Sequence, residues 1–326
     1  MILVLVETEA DGVTLTSREA LTFARELSTR TGDAAVEAVV VGPLGNEREA
    51  VVRELGAQGV SRVHHADSDR LGSYAAAAWA AAVAEVAPAS GLVVASGTPR
   101  GNEVLAHVSV RLDVVMAANV VSVSDSDPLV VARQVLGGSA LEEMRLAGDI
   151  AVLSVAGHAV EPAAAASPTE PDIVAYEPEL ADRDLVGRVV RTEQAEGDDT
   201  SALTSARVVV GAGRGAGSAD GFGDLLELVD LLDGALGVSR VVTSLGWRPH
   251  HEQVGQTGSR IAPDVYIACG ISGAIQHWAG CQSAKTIVAI NSDEDAPMVT
   301  RADYAIVGDL HEIVPAINDE IRRRTT

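Results

Sequence analysis

The sequence predicts an α/β protein in two parts. The first is an N-terminal, mostly parallel α/β domain with antiparallel edge strands, and the second is a doubly wound parallel-sheet domain. Three observations carry this. Short β-branched runs alternate with helical periodicity from the first residue, the pattern of βαβ units and a parallel sheet. The alternation lapses between Val114 and Val155, where strand-like segments follow one another with few helices. A fresh α/β pattern then begins after a polar, aperiodic stretch at 192–205 (TEQAEGDDTSALTS). The expected division is therefore residues 1–195 and residues 196–326.

The elements follow in order. Ile2–Val6 reads as a strand, and Ser17–Ser28 as a helix with Ser17 as its N-cap and Ala20, Leu21, Ala24 and Leu27 on one face. Next come Val36–Val41, helix Arg48–Leu55, strand Val60–His64, an alanine-rich helix Ser73–Val86, strand Leu92–Ala95 and a helix near Asn102–Leu112. Val120–Val123, Leu129–Leu136 and Ile150–Val155 read as antiparallel edge strands, with a helical turn at Leu141–Met144. Glu161–Pro171 reads as a connector, and so does Thr192–Ser205, a credible hinge. The second half reads as strand Val208–Val210, helix Asp224–Leu236, strands Val241–Thr243 and Val265–Cys269, helix Gly273–Ala279, strands Thr286–Ile290 and Tyr304–Val307, and a helix ending at Arg324.

Composition removes several classes of function. The 326 residues suffice for two real cores, and with 47% hydrophobic but only 3% aromatic residues those cores must be built from Ala, Val, Leu and Ile. A formal charge of −22 repels polyphosphate backbones and anionic lipid, which argues against nucleic-acid and polybasic membrane roles. Cys269 and Cys281 lack CxxC spacing or paired histidines, so they read as two reduced thiols and not as a disulfide or metal site. Met1–Val6 has no basic flank, and the apolar stretch Tyr74–Ala84 stops short of a membrane span. A cytoplasmic protein without a metal is expected.

Polar groups collect where the second half's strands end. Gly211–Gly217 (GAGRGAG) formally fits a dinucleotide-binding turn, but no carboxylate ends the next expected strand, Val241–Thr243, to hold a ribose. The stretch 253–258 (QVGQTG) offers amide and hydroxyl groups suited to a flat heterocycle. Gly270–His277 (GISGAIQH) follows a strand and opens a helix, where Ser272 and free backbone amides suit a phosphate and Gln276 and His277 lie one turn on. Asn291 and Asp309 end the two last strands, and Asp309 also suits a plain helix N-cap. Strand C-termini are where an open α/β sheet binds its ligand.

These stretches, with GVSR (237–240), APDVYIACGISGAIQH (262–277), KTIVAIN (285–291), APM (296–298) and ADYAIVGDL (302–310), resemble the alpha subunit of electron-transfer flavoproteins. They fill nearly all the second half in the family's order, whereas the first half is similar only in its α/β pattern. The resemblance implies FAD contacts at Ser239, Arg240, Gln256, Thr257, Ser272, Gln276, His277, Asn291 and Asp309. Arg240 would lie against the flavin ring, Thr257 near N5 and His277, as a donor or a cation, near N1 and O2. Ser272 and the amides would hold ribityl and diphosphate, and Asp309 the adenosine end. Ser244, Ser259-Arg260, Trp278, Ser292 and Thr300-Arg301 depart from the family's usual residues without removing any of those contacts.

The resemblance further implies an electron carrier, not a substrate-transforming enzyme. It would form a heterodimer with a beta subunit, accept electrons from flavin dehydrogenases such as the acyl-CoA dehydrogenases of fatty acid β-oxidation, and pass them to a quinone oxidoreductase or similar acceptor. Alternatives are a subunit of an electron-bifurcating complex, a non-redox adenine-nucleotide-binding protein, and a stand-alone NAD(P)-dependent oxidoreductase. The stand-alone oxidoreductase lacks the acidic ribose residue and any clear acid–base pair, and the non-redox binder leaves the QTG and SGAIQH clusters unexplained.

Overall fold

In a computed structural model of the chain, the described residues are 1–9, 12–138, 140–191, 203–204 and 206–325. Apart from residues 203 and 204, the 192–205 connector lies outside them. The chain divides into two compact units, residues 1–136 with 140–192 and residues 137–139 with 193–326.

The first unit is built on β1 (Ile2–Val6), whose five residues are all buried. Ile2, Val4 and Val6 pack against α1 (Leu15–Arg30) and α2 (Arg48–Ala57), which supply Leu21, Leu27, Val51 and Leu55. Leu3 and Leu5 meet the opposite layer, α3 (Ala76–Glu85) and α4 (Pro99–Leu112), through Ala78, Ala82, Val104 and Leu105. A strand covered on both faces reads as an unbroken apolar run, which is why alternation is missing from Ile2–Val6. A short antiparallel ribbon, β2 (Thr8–Glu9) and β3 (Gly12–Val13), follows β1.

The remaining strands are β4 (Val36–Val41), β5 (Arg62–Ala66), β6 (Gly91–Ser96), β7 (Met116–Ser126), β8 (Leu129–Val135), β9 (Ala140–Arg145), β10 (Ile150–Val155) and β11 (Asp172–Tyr176). With β1 they form one nine-stranded sheet in the order β11-β5-β4-β1-β6-β10-β7-β8-β9.

Three expectations for this unit are corrected, and one strand is added. The first helix begins at Leu15, and Thr14 caps it by accepting from the Ser17 amide at 3.2 Å. Ser17 is buried, and its hydroxyl bonds the Glu7 amide at 2.9 Å, tying the helix to the end of β1. Only β8 and β9 are antiparallel additions, because β10 inserts parallel between β6 and β7. Leu141–Met144 belongs to strand β9 and not to a helical turn, since pairing with β8 overrides the helix propensity of Leu-Glu-Glu-Met. β11, directly after the Glu161–Pro171 connector, was not anticipated. It is an exposed edge strand with little apolar patterning.

The second unit is a five-stranded, wholly parallel sheet: β12 (Val208–Ala212), β13 (Ala235–Val238), β14 (Val265–Cys269), β15 (Thr286–Asn291) and β16 (Tyr304–Val307), ordered β13-β12-β14-β15-β16. Helices α5 (Gly223–Leu231) and α9 (Leu310–Thr325) cover one face, with Leu225, Leu228 and Val314 against Val210 and Ala212. Helices α7 (Ile275–Cys281) and α8 (Pro297–Arg301) cover the other, where Cys281 and Met298 meet Tyr266, Ala268 and Ala289.

Two expectations fail here. The helix expected to reach Leu236 ends at Leu231, and Ala235–Val238 is a strand. Val241–Thr243, expected as a strand, lies in helix α6 (Arg240–Ser244). Small residues hide β13: a Cβ on Gly237 would come within 2.7 Å of Val254, so the strand needs glycine there, and glycine carries no strand signal. Among the described residues no helix is long and apolar enough to cross a membrane.

Candidate functional site

From β12 the chain crosses one way to β13 and the other way to β14, so the loops after β12 and β14 part and leave a crevice. The C-terminal ends of all five strands open on this crevice, a cavity of about 860 Å³. That is the size range of small-molecule and cofactor sites.

Its floor is two interlocked loops. The Gly213 amide donates to the Cys269 carbonyl at 2.9 Å, and Gly215 to Gly270 at 3.2 Å. A side chain on Gly213 would run into the Gly270 carbonyl, and one on Gly215 would come within 2.6 Å of the Gly270 Cα. The glycine-rich stretch thus serves loop-to-loop packing. A 3₁₀ turn at Arg214–Ala216 follows it, and α5 opens only at Gly223, so the dinucleotide-type strand–turn–helix geometry is absent.

Seven of the nine residues singled out in the sequence line the cavity: Ser239, Arg240, Ser272, Gln276, His277, Asn291 and Asp309. Ser239 and Arg240 stand at the start of α6. Ser272 is exposed, and its carbonyl accepts from the Met298 amide at 3.1 Å, fastening the loop after β14 to α8. Asn291 ties two loops together, donating to the Ile271 carbonyl at 3.0 Å and accepting from the Asp293 amide at 3.1 Å. Asp309 accepts from the His311 amide at 2.9 Å, the capping role open to it from sequence.

Gln256 and Thr257 are not on the cavity wall. Their turn is held against α7, where the Gln256 amide donates to the Gln276 carbonyl at 2.7 Å and Thr257 Oγ1 accepts from the Gln253 side chain at 2.9 Å. Both residues are exposed. Sequence reasoning missed Arg214, Ser244, Asp293 and His311, which also line the cavity. For Arg214 the signal was present: a lone cation inside a glycine-rich turn after a strand. Among the described residues, the guanidinium groups of Arg214 and Arg240 have no hydrogen-bond or ion-pair partner.

His277 is 7% exposed. Its Nε2 lies 2.7 Å from the hydroxyl of Tyr266, which is fully buried, and its Nδ1 has no hydrogen-bond partner of good geometry. Burial pushes its pKa down to about 4, with the Val254 backbone pulling weakly upward. In the ligand-free chain the ring is therefore neutral at pH 7. Burial likewise holds Tyr266 well above the usual phenol range and both thiols near 12. Among the described residues no cluster of His, Cys, Asp and Glu could hold a metal ion.

In the first unit, polar side chains near the ends of β1 and β6 bond one another. Thr98 donates to the Glu7 carboxyl at 2.5 Å, and burial raises the Glu7 pKa against that bond. Asn102, Asn119 and Ser154 close a further network, with Ser154 donating to Asn102 at 2.6 Å. This polar cluster satisfies itself through its own hydrogen bonds.

Comparisons with known proteins agree with the site. The family profile described as "Electron transfer flavoprotein domain" matches residues 2–181, and "Electron transfer flavoprotein FAD-binding domain" matches residues 202–282. A protein of Mycobacterium leprae named electron transfer flavoprotein subunit alpha is 37% identical over 99% of this chain and 98% of its own length. Proteins of the same name from Paracoccus denitrificans (36% identical, 81% of this chain and 83% of the relative) and Bacillus subtilis (32%, 94% and 92%) are also similar. With a profile spanning over half its residues and relatives aligned end to end, the chain belongs to the electron transfer flavoprotein alpha-subunit family.

Proposed function

We propose that the second unit's cavity holds FAD through Ser239, Arg240, Ser272, Gln276, His277, Asn291 and Asp309, with the Gln256–Thr257 turn beside Gln276. In this reading the chain is one half of a heterodimer with a beta subunit. It takes electrons from flavin dehydrogenases such as acyl-CoA dehydrogenases and hands them to a quinone oxidoreductase or similar acceptor, in the cytoplasm. The observation that carries the reading is the pair of unpartnered guanidinium groups facing a cavity at the sheet's switch point.

The residues fit the group. Arg214 and Arg240 offer uncompensated positive charge, which suits a diphosphate and the edge of a ring that becomes negative on reduction. Hydroxyl and amide groups of Ser239, Ser272, Gln276 and Asn291 suit a polyol and phosphate oxygens. The unpaired, buried Nδ1 of His277 suits an atom that the ligand-free chain lacks.

Bound FAD supplies the gain and loss of electrons; the protein's part is to bind, orient and tune it. Arg240 fixes a permanent cation on α6, and a guanidinium can lie flat on a ring where an ammonium cannot. His277 contributes a neutral dipole from a buried position, so its effect is not screened by solvent. Neither Tyr266 nor the two thiols ionises near neutral pH.

The test is to co-express the chain with its neighbouring beta-type reading frame and measure flavin per chain from absorbance and released nucleotide. One FAD per alpha chain is expected, with retention reduced in an Arg214→Ala/Arg240→Ala variant. A folded, colourless complex that takes up no FAD on dialysis overturns the proposal.

A further inference from the structure

We infer that Tyr266 is a positioning residue: its phenol O–H donates to Nε2 of His277 and fixes the imidazole as the Nδ1–H tautomer, leaving one neutral N–H donor for an acceptor atom of the flat heterocycle at the cavity. The inference rests on the FAD reading only for the identity of that acceptor.

Hydrogen-bond accounting carries it. Tyr266 is fully buried in β14, and among the described residues its hydroxyl bonds His277 Nε2 at 2.7 Å. The hydroxyl reaches the ring at its nitrogen edge, with the two rings 28° from parallel and their centroids 6.1 Å apart. A neutral imidazole has one N–H and one lone pair. If Nε2 carried the hydrogen, the buried phenol hydrogen would have no acceptor and the Nδ1 lone pair no donor. With the hydrogen on Nδ1, the phenol is satisfied and a single unmet group remains, Nδ1–H itself. Leaving fewer buried polar groups unmet decides between the two. The Val254 backbone pulls only weakly on the ring, and no hydrogen bond of good geometry satisfies Nδ1.

The strand beside Tyr266 is shaped to admit it. A Cβ on Gly211 would come within 2.6 Å of the Tyr266 ring at Cζ and would strike its hydroxyl. Gly211, the first glycine of the stretch that mimics a dinucleotide motif, therefore makes room for the phenol. The order of dependence runs from Gly211 through Tyr266 to His277, across β12, β14 and α7.

The test is long-range ¹H–¹⁵N spectroscopy on the full chain labelled with ¹⁵N-histidine, in its flavin-loaded form and after flavin removal. Wild-type protein is expected to show His277 protonated at Nδ1 and bare at Nε2. Tyr266→Phe and Gly211→Ala should each shift the tautomer ratio about tenfold or more towards Nε2–H, the scale of one lost buried hydrogen bond. Because a variant can fail to fold, 3-fluorotyrosine in place of the four tyrosines provides a second measurement. Its more acidic phenol should move the Nε2 resonance of His277. Wild-type Nε2–H, an unchanged ratio in Tyr266→Phe, or no response to fluorination overturns the inference. An Nδ1–H resonance identical with and without flavin overturns the donor role toward the ring. Failure to bind flavin at all overturns the cofactor reading, while the flavin-free chain still decides the role of Tyr266.

Discussion

His277 should leave a measurable mark on stability as pH falls. In the folded, flavin-free chain burial pushes its pKa from 6.5 to about 4. Below pH 6.5 the unfolded chain gains a proton on this ring that the folded chain refuses. Stability contributed by the neutral ring is thus full above pH 6.5, falls as pH drops through the window down to 4, and falls no further once both states are protonated. A gap of roughly 2.5 pH units, at about 1.4 kcal/mol per unit, corresponds to roughly 3 kcal/mol.

The neighbouring groups do not blur this window. Tyr266, Cys269 and Cys281 stay neutral throughout. Asp293, Asp309 and His311 line the cavity but are exposed, and they remain in the reference variant. The perturbation is His277→Gln, which keeps a polar group and removes the titration. The assay is urea unfolding of both proteins from pH 8 to pH 4.5, followed by tryptophan fluorescence, with NMR titration of the ring protons as the direct check. The stability difference between wild type and variant should move against the wild type as pH falls, by up to about 1.4 kcal/mol per pH unit. A pH-independent difference, or a ring titrating near 6.5, refutes the reasoning.

Further outcomes are expected at the cavity and in the first unit. Arg240→Ala should lower the first reduction potential of the bound flavin by tens of millivolts while weakening FAD retention less, since about 1.4 kcal/mol on a one-electron step is ~59 mV. Arg240→Lys should recover part of that, and a redox titration reads both. Gly213→Ala drives a methyl group into the Gly270 carbonyl, so it should cost about 1–3 kcal/mol in the second unit and release flavin on dilution, as fluorescence of the free cofactor would report. Thr14→Ala removes the cap of α1 and should cost about 1 kcal/mol by denaturant unfolding, with flavin content unchanged.

What could be read from sequence follows from how local each signal is. Val36–Val41, Ile150–Val155, Val265–Cys269 and Tyr304–Val307 have the observed bounds, because each is a compact apolar run ended by polar or glycine residues. β13 could not be read, since Ala-Leu-Gly-Val owes its strand state to pairing with β12 and its glycine to Val254. The following Val-Val-Thr had strand propensity but nowhere to pair, and it closed a short helix. At the site, residues just past a strand end were legible because strand ends converge by topology. Gln256 and Thr257 lie in a turn whose position depends on its packing against α7, which no local pattern records. The Tyr266–His277 bond joins residues eleven apart on different elements, and only the folded register brings them together.

The interlocked floor of the cavity has a consequence for speed. Gly213, Gly215 and Gly270 meet backbone to backbone, with the Leu310 side chain packed alongside. Neither loop can shift without carrying the other, so the peptide dipoles beneath the cavity keep their orientation whatever charge sits above them. A carrier that alternates between charge states transfers electrons fastest when its surroundings rearrange least at each exchange, because dipoles already in place need not turn. On the proposed carrier role, close glycine contact at this floor favours a low reorganisation energy.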